Sequence, residues 1–184
     1  MDAPNDANGM GGTEQFREIL LDWFKPIQTT AIRFTENANP ESDPYARYTV
    51  AYEATFEPSS LERARIEIWL TTEGMIATGL ETKNRIAARL KLKEGKHKVF
   101  AAGDEPSDVT KEGLLALLTA VAEGKIAISA TTLPLLGLVK TQAVLLSDTD
   151  KFLASHGYDA RGWLTVLADF ESDAFRQVLR FDSW

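Results

Sequence analysis

Not one cysteine occurs in the 184 residues. Disulfides, thiolate metal ligands and thiol nucleophiles are thereby excluded, and a reducing compartment is suited. Histidine is scarce as well: His97 and His156 are the only two. Two isolated imidazoles do not make a zinc or iron site, which needs several His, Cys or carboxylate ligands at short spacing. His156 precedes Gly157, as a helix-ending imidazole does. Long apolar runs are missing. Leu114–Ala122 and Leu133–Val139 are the longest, and Thr119, Pro134 and Gly137 interrupt them. A membrane span needs about 20 apolar residues. The start, MDAPNDANGMGG, has neither a basic stretch nor an apolar core, so it does not read as a secretion signal.

Catalytic motifs are absent in the same way. There is no Gly-x-Ser-x-Gly elbow. The early Gly-Met-Gly-Gly follows no strand and precedes no Gly-Lys-Ser/Thr, so it is no phosphate loop. The Ser147–Asp150 stretch is too short for a calcium loop, and helix capping explains it better. Among 27 acids, no pair is singled out for acid–base work. The sequence therefore names no catalytic residue, no metal site and no cofactor.

What is present is an ordinary globular composition, 44% apolar and 26% charged, with net charge -7. Residues 1–12 read as a disordered leader and 13–184 as one domain. A helix is expected from a Thr13 cap, because Phe16, Ile19, Leu20, Trp23 and Phe24 form one stripe, with Pro26 ending it. Thr29–Thr35 reads as a strand. The clearest strand is Tyr45–Phe56, where Tyr48, Val50, Tyr52, Ala54 and Phe56 alternate with polar or small residues. Arg65–Thr71 alternates likewise, and Met75–Leu80 returns after a Glu73-Gly74 turn, as in a meander. His97–Ala101 reads as a short strand.

Thr110 caps a helix that Gly124 stops. Lys125–Ala130 and Leu138–Leu146 read as strands. A short helix should open at Ser147 and end at His156. Helical spacing of Trp163, Val166, Leu167, Phe170 and Ala174, continued by Phe175, Val178 and Leu179, predicts one or two C-terminal helices; a strand at Trp163–Ala168 is the competing reading. The sum is an α+β fold: a single domain with a largely antiparallel meander sheet of about 5–7 strands packed on helices.

Positive charge is concentrated in KNRIAARLKLKEGKHK, residues 83–98, which holds seven of the chain's 20 Lys and Arg and one acid, Glu94. Alternation of Ile86, Ala88, Leu90 and Leu92 reads as a strand. Helix propensity, a Thr82 cap, Lys91 and Lys93 in a last turn, and a Gly95 stop read as a helix, the preferred reading. Arg85, Arg89, Lys91, Lys93, Lys96, His97 and Lys98 are candidates for binding an anion or an acidic partner. A solvated charged face is the plain alternative. The run contains no aromatic residue to stack a base, and the rest of the chain is acidic, so nucleic-acid binding is the weakest reading.

Trp69 is the other candidate. It projects from the polar side of an alternating strand, beside Arg65, Glu67 and Thr71, where an indole would anchor a contact. These features favour a non-enzymatic, cytoplasmic binding or regulatory protein, of the immunity or adaptor type, acting through a protein–protein surface. The alternative is a small-molecule or anion site, or a small enzyme, lined by carboxylates and Arg85 or Arg89. The expected partner is another protein, not a membrane or nucleic acid; self-association is left open.

Overall fold

The apolar spacing of the first helix is met by the computed structural model, which describes residues 12–38, 40, 48–93, 96–100, 102–103, 110–133, 137–145 and 176–184. Helix α1 (Thr13–Phe24) buries Phe16, Ile19, Leu20 and Phe24. Its cap is Gly12, not the expected Thr13, and no side chain caps it. Gly12 thus belongs to the helix start. A 3-10 turn, Lys25–Ile27, follows, since Pro26 has no N–H to continue the helix ladder.

Four strands then form the meander: β1 (Ile32–Asn37), β2 (Val50–Pro58), β3 (Ile66–Thr71) and β4 (Ile76–Leu80). Each pairs antiparallel with the next. The two-residue alternation puts Tyr52, Ala54, Phe56, Ile66, Ile68 and Leu70 in the core. The opposite, outward face carries Glu53, Thr55, Glu57, Glu67 and Trp69. Phe24, Phe34 and Phe56 meet at ring distances of 5.0–6.0 Å on the inner side.

Residues 83–89 are a helix, α2 (Lys83–Arg89), as preferred. The Thr82 hydroxyl accepts from the Arg85 N–H at 3.2 Å. The stop is different from the one expected. Lys91 takes a left-handed φ of 54°, its N–H donates to Ala88 O, and the Leu92 N–H donates to Ala87 O. This is a Schellman ending with lysine where glycine is usual. Lys91 and Lys93 therefore lie beyond the last turn, and Gly95 falls outside the described residues.

Two short strands follow, β5 (Lys98–Phe100) and β6 (Ala102–Gly103), then α3 (Lys111–Ala122), β7 (Ile126–Leu133), β8 (Leu138–Leu145) and β9 (Arg176–Arg180). Helix α3 has the expected Thr110 cap and Gly124, at φ 67°, just past its end. The first sheet is ordered β1-β2-β3-β4-β6 and the second β5-β8-β7-β9; β5 pairs parallel with β8, and the other described strand pairs are antiparallel. The class is α+β with an antiparallel meander, as expected; the additional sheet comes from elements distant in sequence. One buried cluster of described residues joins both sheets to α1, α2 and α3.

Helical spacing misreads the chain's end. Val178 and Leu179, expected in a helix, lie on β9, with Leu179 buried and Val178 53% exposed. Pairing with β7 outweighs local spacing there. The expected helices at Ser147–His156 and Trp163–Ala174 lie outside the described residues. No described helix is long and apolar enough to cross a membrane.

Candidate functional site

The outward face of the meander gathers a connected set of charged side chains. Cross-strand register sets Glu53 opposite Trp69 and Thr55 opposite Glu67. Side chains two residues apart on one strand share a face. Glu53, Glu57, Arg65, Glu67 and Trp69 are thereby neighbours.

Arg65 bridges two strands: its Nε donates to Glu57 Oε2 at 2.6 Å and its Nη1 to Glu67 Oε2 at 2.8 Å. Arg85 comes from α2 to one of these carboxylates, Glu57, and to Glu81. Its Nε donates to Glu81 Oε2 at 2.7 Å and its Nη1 to Glu57 Oε1 at 3.2 Å. The remaining contacts go to the carbonyls of Pro58, Ser60 and Arg63. A guanidinium has five N–H donors, and these five acceptors use them. Arg85 thus builds the fold and has no donor left for a ligand.

Glu81 is the most enclosed of these acids. Its side chain is 1% exposed and its φ is 65°, left-handed for a non-glycine residue. The carboxylate accepts from the Arg65 backbone N–H at 2.7 Å and from Arg85. Burial pushes its pKa up, and the Arg85 and Arg65 bonds oppose that.

Charge alternates along this network, Arg85–Glu57–Arg65–Glu67, until it reaches Glu53. There a second carboxyl lies diagonal to Glu67 across the β2–β3 pair. The contact with Glu67, followed by burial and like charge, pushes the Glu53 pKa up to about 7. Two arginines thus face four carboxyls, Glu53, Glu57, Glu67 and Glu81, with the excess at the Trp69 end.

Trp69 itself is half-buried and lies outside the core cluster. Its ring leans over β4 onto Gly79, where an added Cβ would stand 2.9 Å from Trp69 Cη2. Gly79 is what lets the indole lie along the sheet.

The other sequence candidates disperse. Arg89 is a structural latch. Its Nη2 donates to Arg180 O at 2.7 Å and to Glu62 at 3.3 Å, and its guanidinium lies 4.5 Å above the Phe181 ring. It draws the segment after β9 onto α2. Lys91, Lys93 and Lys96 are exposed past the helix end. Lys98 is exposed on β5, its N–H bonded to Gly137 O at 2.7 Å. His97 is half-buried, and its Nδ1 has no hydrogen-bond partner among the described residues. Carboxylates and Arg85 do come together, as the pocket reading required, but as a mutually satisfied network. Among the described residues, no group of three or more His, Asp or Glu could hold a metal ion.

Sequence reading placed Glu53, Arg65, Glu67 and Trp69 on the polar side of their strands. It missed their assembly, because that depends on strand register and on α2 folding back over Glu57. No protein-family description, curated protein or solved structure matches the chain.

Proposed function

We propose that this chain is a non-catalytic binding protein that offers the outward face of β1–β4 to a basic segment of another protein. The observation that supports it is the position of Trp69: half-buried, outside the core, and set beside the carboxyl excess of Glu53 and Glu67. Burying an indole contributes a large apolar area at small conformational cost, which is why such residues anchor interfaces. A tryptophan face attracts a guanidinium or ammonium, and neighbouring carboxylates add to that attraction. The acidity of the whole chain steers a basic partner and repels polyanions. Regulatory or inhibitory binding of the immunity or adaptor kind fits this arrangement.

The reading is tested by titrating an oligo-arginine peptide into the full chain and following tryptophan emission, with an oligo-glutamate peptide as control. Saturable, salt-sensitive binding of the basic peptide that is lost in Trp69→Ala supports it. Binding that survives Trp69→Ala and Glu67→Gln, or none at low salt, refutes it.

A further inference from the structure

We infer that the basic segment received by the outward sheet face belongs to a second copy of this chain: the loop that carries Lys91, Lys93 and Lys96. The inference rests on the reading of that face as a contact surface and names its partner. Two surfaces of opposite charge lie on one chain, and among the described residues neither neutralises the other.

The first surface is the loop after α2. Lys91, Lys93 and Lys96 are exposed, and none of them makes an ion pair among the described residues. The backbone that carries them is held. The Lys91 N–H donates to Ala88 O and the Leu92 N–H to Ala87 O. The Lys96 N–H donates to Lys93 O at 3.2 Å, and the Lys98 N–H to Gly137 O at 2.7 Å. Gly137 packs so closely that an added Cβ would stand 2.9 Å from Lys96 O. The loop is thus pinned at both ends, and it presents its ammonium groups at little cost in backbone ordering.

The second surface is the Trp69 end of the meander. Glu53, opposite Trp69, has no ion pair among the described residues, and Arg65 is spent on Glu57 and Glu67. Glu73, exposed in the turn between β3 and β4 at the same end, has none either; its carboxylate accepts from the Thr72 hydroxyl. A half-buried indole beside two unpaired carboxylates suits an incoming ammonium group. Helix α2 does not serve this end. Its Arg85 grips the face at Glu57, about 13 Å along β2 from Glu53.

A loop seated on a face joins unlike surfaces, so the contact is heterologous. Each pairing leaves one face and one loop open, and assembly grows until a ring closes. The net charge of -7 opposes the approach of two copies. Salt confines that repulsion to about 8 Å under physiological conditions, so the local match of lysine with glutamate decides.

Sedimentation velocity on the full chain tests this at about pH 8, where carboxylates are ionised. Mass that rises with concentration at low salt, with an affinity about tenfold weaker at high salt, is expected. Lys93→Gln/Lys96→Gln and Glu53→Gln/Glu73→Gln should each run as monomers. Mixed, they should form a dimer with one copy of each and nothing larger, because one supplies the intact face and the other the intact loop. A wild type that stays monomeric at low salt, a loop variant that associates as the wild type does, or a mixture without rescue overturns the inference. Oligo-arginine then separates the two readings. If it binds the wild type, the face stands and receives a different protein; if it does not, the face falls with the inference.

Discussion

Arg85 Nε donates to Glu81 Oε2 at 2.7 Å, joining a helix to the end of a strand through a carboxylate whose side chain is 1% exposed. The same guanidinium holds the carbonyls of Ser60 and Arg63, so it also fixes the β2–β3 connection.

Arg85→Ala should therefore cost about 3–5 kcal/mol, because it leaves a buried carboxylate uncompensated. Arg85→Lys should restore little, since an ammonium cannot reach five divergent acceptors. Urea denaturation of the two variants measures this. A loss below about 1 kcal/mol for Arg85→Ala would contradict the network's structural role.

Stability should depend on pH in two opposed limbs. Arg17 donates from Nε and Nη2 to both Glu36 carboxylate oxygens, and the Tyr52 hydroxyl adds a bond to Oε2 at 2.6 Å. The Arg17 bond, then the Tyr52 bond, holds Glu36 below the ordinary carboxylate value of 4.5. Its stabilisation is present above that value and is lost as pH falls through the lower folded value. Glu53 has the reverse sign. The folded chain keeps its proton up to about pH 7, whereas the unfolded chain releases it near 4.5. Stability from this group is full below 4.5 and declines as pH rises towards 7. Burial gives Glu81 the same sign. Denaturation midpoints against pH should show Glu53→Gln reducing the neutral-side decline and Glu36→Gln removing the acid-side loss.

Two left-handed positions make a reciprocal pair. Lys91→Gly should stabilise by roughly 0.5–1 kcal/mol, since glycine relieves the φ of 54° at some cost in unfolded-state entropy. Gly124→Ala should destabilise by about 2–4 kcal/mol. Its Cβ would stand 2.6 Å from Phe181 O at a φ of 67°. Thermal unfolding of the two variants should move in opposite directions.

Trp184 is docked into the core. Its ring lies 5.7 Å from Phe56 and 6.1 Å from Trp23, and its Nε1 donates to Ala64 O at 2.9 Å. Trp184→Ala should cost about 3 kcal/mol through lost packing. Trp184→Phe should keep the packing and lose about 1 kcal/mol with the hydrogen bond. Calorimetric unfolding should separate the two; equal losses would show that packing contributes nothing.

Local order was legible wherever neighbours in sequence decide it. The α1 stripe, the alternation in β2 and β3, and the Thr110 and Gly124 signals around α3 are all contacts or dihedrals within a few residues. Trp69 and Glu67 could be put on the polar side of their strand by counting in twos. The α2 stop was misread because the rule looks for glycine, while Schellman bonds to Ala88 and Ala87 hold Lys91 in the same conformation.

Nonlocal pairing was not legible. Leu179 and Val178 satisfy a helical count as well as an extended one, and only the β7 edge made them a strand. Arg85 and Arg89 looked like part of one positive patch. The fold turned them inward, because a guanidinium can satisfy buried carbonyls and carboxylates that nothing nearby in the chain reaches. Composition and periodicity thus determined the α+β class, the meander and the polar side that bears Trp69. Tertiary structure alone decided which charges cancel and which are left over. A charge's partner is set by distance in space, and here those partners lie up to 91 residues apart in the chain.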